Sequence, residues 1–122
     1  MPKRKSAKGY SVKPWLSANL DSKERRYIQI GNSILLSKQF QALRPTAQIL
    51  YFCMALESGL HRDFIFPQKT MTKYGLNRST AVKGIEELIE TGFIRKVYSG
   101  KATREPSKYE FINEWKMKPP LK

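Results

Sequence analysis

The chain has 122 residues, 23 Lys and Arg against 10 Asp and Glu, and a net charge of +13, which fits one small domain with tails and points to a polyanion, nucleic acid first, as partner. A hydrophobic share of 40%, with 6 Phe, 6 Tyr and 2 Trp, excludes a wholly disordered basic chain. One cysteine, Cys53, and one histidine, His61, exclude an intramolecular disulfide and a Cys/His zinc cluster, and the lack of an apolar run of about 18 residues predicts a cytoplasmic protein that meets no membrane.

Charge gathers at the two ends. Residues 1–26 offer Lys, Ser, Pro and Gly without periodicity and read as a basic flexible arm. Trp15 and Leu16 within it call for a docking place on the body or on a partner. Tyr27-Ile28-Gln29-Ile30 alternates and Ile34-Leu35-Leu36 precedes Phe40, a pattern for a short strand or a helical turn. Pro45 then opens the strongest helix, where Leu43, Ala47, Leu50, Tyr51 and Met54 recur at helical spacing until Gly59. Phe64-Ile65-Phe66 is too short for a helix and predicts an edge strand of a small sheet.

Pro67 opens a second, short helix from Gln68 to Tyr74, ended by Gly75, and Asn77 offers the N-cap of a third. On that third helix Ala81, Val82, Leu88 and Ile89 lie within about 60° of Ile85, at roughly 100° per residue. Ser79, Thr80, Lys83, Glu87 and Glu90 are left on the opposite face. Gly84 costs about 1 kcal/mol of helix propensity relative to Ala, which predicts another helix packed close to it. Thr91-Gly92 ends the helix, and the stretches from Phe93 to Tyr98 and from Lys108 to Ile112 pair as strands around a long basic loop. Leu50, Tyr51, Ile85, Leu88 and Phe93 form the expected core.

The run from Gly75 through Asn77-Arg78-Ser79-Thr80 to Leu88, closed by Glu90-Thr91-Gly92-Phe93-Ile94, resembles the winged helix-turn-helix DNA-binding family over residues 43 to 113. Gly75, Leu88, Gly92, Phe93 and Ile94 match its pattern; Met71 stands where a small residue is usual, and Ala81 where a β-branched one is common. The block from Ile34 to Tyr51 is similar to replication initiator-like winged-helix proteins of plasmids, phages and conjugative elements of Gram-positive bacteria. The resemblance implies an α+β fold with a three-helix core, a small antiparallel sheet and a basic wing. It would occupy residues 27–115, between the arm of 1–26 and a tail of 116–122.

The candidate DNA-binding residues follow from this layout. Backbone amides at the start of the third helix favour phosphate near Asn77 to Thr80, while Arg78, Ser79, Thr80 and Lys83 are the candidate base readers; the bland alternative is an N-cap with a solvated first turn. Gln68, Lys69, Thr70 and Lys73 on the second helix join them. Arg95, Lys96, Lys101, Arg104 and Lys108 give the hairpin a phosphate-contacting charge. Glu86, Glu87 and Glu90 are expected to face away from the phosphates. Cys53 reads as a buried small hydrophobe and His61 as a loop residue; no cofactor, metal or catalytic group is expected.

Two functions remain open at this point. One is a sequence-specific double-stranded DNA binder of a mobile element, serving replication, conjugative transfer or transcription control as a monomer or homodimer. The other is an interaction module in a nucleoprotein complex, with non-specific nucleic-acid affinity and with Tyr10, Trp15 and Trp115 as anchors for other proteins.

Overall fold

The computed structural model describes residues 9–98 and 106–117. The first described element is a two-stranded antiparallel sheet of β1 (Tyr10–Ser11) and β2 (Lys23–Glu24), in which Tyr10 faces Glu24 and Ser11 faces Lys23. A single 3-10 turn, Pro14–Leu16, lies between the strands. The segment read as an arm without regular structure therefore carries a hairpin. Its bonds are local and polar: the Ser17 hydroxyl donates to the Glu24 carboxylate, and the Asn19 amide nitrogen Nδ2 donates to the Lys23 carbonyl at 2.6 Å. Such bonds leave no hydrophobic periodicity to read. Trp15 stays 77% exposed, so it does not dock on the body.

Two short helices follow, α1 (Asn32–Leu36) and α2 (Lys38–Gln41). The strand-or-turn alternative at residues 27–36 thus resolves as a helical turn. Ser37 caps α2 through the Phe40 amide at 3.1 Å, which seats Phe40 in the core. Next come α3 (Pro45–Ser58), β3 (Asp63–Ile65), α4 (Gln68–Lys73) and α5 (Arg78–Glu90), then β4 (Ile94–Tyr98), β5 (Lys108–Phe111) and a 3-10 turn at Glu114–Met117. Pro45 occupies the first turn of α3, and Gly59 ends it in the left-handed region at φ 64°.

Helices and sheet share one core. Leu50, Tyr51, Ile85, Leu88 and Phe93 are buried in it together, as the apolar spacing predicts. α3 and α5 pack closely at Gly84, where a Cβ would stand 2.9 Å from Leu50 Cδ2, so the helix-breaking residue does mark a helix crossing. β3, β5 and β4 form an antiparallel sheet in that order. β3 takes the edge position expected of the Phe64-Ile65-Phe66 run. The molecule is of mixed α+β class.

Trp115 corrects its reading as an anchor for a partner protein. It is 7% exposed and stacks on Phe93 with ring centroids 4.8 Å apart. Gly92, at φ 88°, lets the chain turn from α5 into β4 and accepts the Trp115 amide at 3.1 Å. Among the described residues no helix is long and apolar enough to cross a membrane.

Candidate nucleic-acid interface

The junction between α4 and α5 is built by local signals. The Leu76 amide reaches back to the Met71 carbonyl at 2.8 Å, with Gly75 at φ 72° between them; this wrapped ending stops α4 within one residue of Tyr74. Leu76 packs against the core, and Asn77 then caps α5. Asn77 Oδ1 accepts the Ser79 amide at 3.0 Å, the Thr80 amide at 3.3 Å and the Ser79 hydroxyl at 2.7 Å.

That cap alters the expectation for this helix start. The amides of Ser79 and Thr80 are already engaged by the protein's own carboxamide, so they are not bare donors awaiting a phosphate. The groups left facing outward here are side chains. Arg78, Ser79, Thr80 and Lys83 are exposed, and no ion pair among the described residues holds Arg78 or Lys83. The buried positions of α5 are Ala81, Gly84, Ile85 and Leu88, while Val82 and Ile89 are half-buried. The buried stripe is therefore turned from Ile85 toward Gly84, because the missing side chain there lets α3 approach.

This turn of the helix changes the role of Glu87. Predicted to face solvent, it is half-buried, and its carboxylate accepts the Arg44 amide at 3.0 Å. Arg44 is the N-cap of α3 and offers no side-chain cap of its own. The acid thus caps α3 across the helix crossing and meets the positive end of its dipole.

On α4 the candidates divide by helical phase. Gln68, Lys69 and Lys73 are exposed, but Thr70 is buried beside Met71. Thr70 is therefore removed from the candidate residues, and the exposed Thr72, which the sequence did not single out, shares the outer face with Gln68 and Lys69. Lys73 is occupied: its Nζ lies 2.9 Å from the Glu57 carboxylate and over the Tyr74 ring.

Alternation along the strands separates Arg95 from Lys96. Arg95 pairs with Glu110 on one face, whereas Lys96 lies opposite the buried Tyr109 on the other. The Arg95 guanidinium is 3.2 Å from Glu110, which Arg62 also approaches at 3.5 Å, and Lys108 is 3.0 Å from Asp63. The Lys108 ammonium holds the Asp63 carboxyl below its usual range by hydrogen bond and charge. Two of the hairpin cations are thus balanced by acids on the protein, in exposed pairs that solvent weakens and a phosphate can replace. Lys3, Arg4, Lys5, Lys101 and Arg104 lie outside the described residues.

A second cluster, unseen in the sequence, sits at the ends of α3 and α4. The Arg26 guanidinium donates to the Glu57 carbonyl at 3.0 Å, and Tyr74 donates its hydroxyl to Glu57 Oε1 at 2.8 Å. Partial burial opposes ionisation of Glu57, but hydrogen bonds from Lys73 and Tyr74 and the nearby cations outweigh it and hold its carboxyl below the usual range. Burial first, and then the same carboxylate, push the Tyr74 phenol far up. The one available signal was negative, since α3 has no basic residue in its last turn to meet its final carbonyls.

Cys53 is half-buried on α3, and desolvation raises its thiol. His61 is exposed after Gly59. Among the described residues no cluster of His, Cys, Asp or Glu is placed to hold a metal ion. No family model, curated protein or solved structure matches this chain.

Proposed function

We propose that residues 27–115 form a winged helix-turn-helix that binds double-stranded DNA sequence-specifically, with α5 as the recognition helix and the β4–β5 hairpin as the wing. The observation that carries this reading is one of order: helix, strand, helix, tight turn, helix and hairpin, with β3 on the edge of a β3-β5-β4 sheet. That order is what supports reading the domain as a winged helix-turn-helix. Four polar side chains, Arg78, Ser79, Thr80 and Lys83, stand exposed at the start of α5, and the chain's charge of +13 supplies attraction to phosphates.

In this reading Arg78 reads a guanine edge, Ser79 and Thr80 read bases or phosphates, and Lys83 follows one turn on. Gln68, Lys69 and Thr72 meet the flanking backbone, and Lys96 with the loop residues Lys101 and Arg104 supplies sequence-blind affinity. The resemblance of the block from Ile34 to Tyr51 is what supports a role in a mobile element, in replication, conjugative transfer or transcription control in the cytoplasm. Selection from a random duplex library tests the reading directly. A sharply enriched motif is the expected result, and an unenriched pool despite binding would favour an interaction module, a role to which the exposed Trp15 and Leu16 are suited.

A further inference from the structure

Residues 9–26 have no part in the helix-turn-helix, yet their hairpin stands beside its turn. We infer that this hairpin is a second phosphate-contacting element, which lengthens the bound duplex past the start of α5 with Lys23 and Arg25 as its contacts. The inference rests on the DNA-binding reading above.

Position is the first ground. The chain leaves the hairpin at Arg26, whose guanidinium donates to the Leu56 carbonyl at 3.4 Å and the Glu57 carbonyl at 3.0 Å. The side chain of that same Glu57 holds Lys73 and Tyr74, the end of α4. The hairpin exit and the entry to the turn before Arg78 are thus tied to a single residue. Lys23, Arg25 and Lys73 line one cleft between the hairpin and the corner of α3 and α4.

Charge orientation is the second ground. The two acids of the hairpin are satisfied within it: Glu24 by Ser17 and Asn19, Asp21 by the Lys23 amide at 3.0 Å. Lys23 and Arg25 are exposed, and no ion pair among the described residues takes either one. The hairpin therefore keeps its anions occupied and presents its cations outward. Two long cationic side chains without an ion pair among the described residues fit phosphates, which each strand presents about every 3.4 Å of duplex axis, rather than base edges.

The test uses the full chain and a duplex recovered by the selection described above. Lys23→Gln with Arg25→Gln is compared with wild type and with Arg78→Ala by hydroxyl-radical footprinting and by affinity across salt concentrations. At about 0.9 units per phosphate, the double variant is expected to lower the magnitude of the log K against log salt slope by up to about two units. It is also expected to shorten the footprint on one side and to keep the preference for the selected sequence. Protection of Lys23 from acetylation by bound duplex in the wild type supplies a readout that does not depend on a variant folding.

A wild-type footprint and slope in the double variant, with Lys23 unprotected and Arg78→Ala still losing sequence preference, overturn the inference while leaving the DNA reading standing. The same unchanged slope with lost binding to a polyglutamate peptide overturns it in favour of an acidic protein partner. A wild-type protein that binds no duplex overturns both.

Discussion

Asn77 and Arg78 are neighbours with opposite tasks. Asn77 turns its carboxamide back on the amides of Ser79 and Thr80, so its replacement by Ala is expected to cost about 1 kcal/mol of stability, read as a shift in the urea midpoint. Arg78, exposed and outside any ion pair among the described residues, is expected to contribute to recognition instead. Arg78→Ala should leave stability within about 0.5 kcal/mol of wild type and weaken binding to the selected duplex by about 1–3 kcal/mol. Equal losses on selected and random duplexes would remove its base-reading role. Gly92 is a third kind of residue, held by backbone geometry: a Cβ there would stand 2.8 Å from the Trp115 amide nitrogen, at φ 88°. Gly92→Ala is therefore expected to cost about 2 kcal/mol or more, measurable by thermal melting.

At the scale of elements, α5 is held from two sides. Its apolar residues join the core beneath α3, and its Glu87 reaches over to cap that helix. Ile85→Ala is expected to destabilise the fold by about 2–5 kcal/mol, and a change below about 0.5 kcal/mol would mean that the side chain is not packed as described. The helix boundaries and the edge strand were legible in the sequence because Pro45, Gly59, Gly75 and Asn77 act within a residue or two of where they stand. The rotation of α5 was less so: symmetry about Ile85 ignores that Gly84 presents a bare backbone to Leu50. Thr70 was misread for a related reason, since six residues of α4 offer too little periodicity to phase a wheel.

Across the whole molecule, the Glu57 cluster ties α3, α4 and the exit of the N-terminal hairpin together, and its ionisation makes stability pH-dependent. The folded carboxyl of Glu57 lies below its ordinary value. Its contribution is therefore complete above the unfolded range near about 4.3 and is lost as pH falls through the lower folded value. Tyr74 has the opposite sign: its phenol is raised, so its contribution holds below about 10 and is lost as pH rises toward the folded value. Urea unfolding of wild type and Glu57→Gln from pH 3 to 11 is expected to show a shallower acid limb in the variant. Identical limbs would show that Glu57 carries none of the dependence.

The sequence by itself determined the elements governed by near neighbours: where α3, α4 and α5 begin and end, which residues are apolar on each, and the charge that favours a polyanion. It also determined the exposed polar start of α5, since a cap and a first turn are set within four residues. Only the tertiary structure decided which cations stay unpaired. Arg95, Lys108 and Lys73 meet acids contributed by other elements, while among the described residues Lys23 and Arg25 meet none. It also decided that Trp115 closes the core and that residues 9–26 form a hairpin beside the end of α4. Each of these depends on groups brought together by folding, and Coulomb attraction and burial act through space, where spacing along the chain carries no record of them.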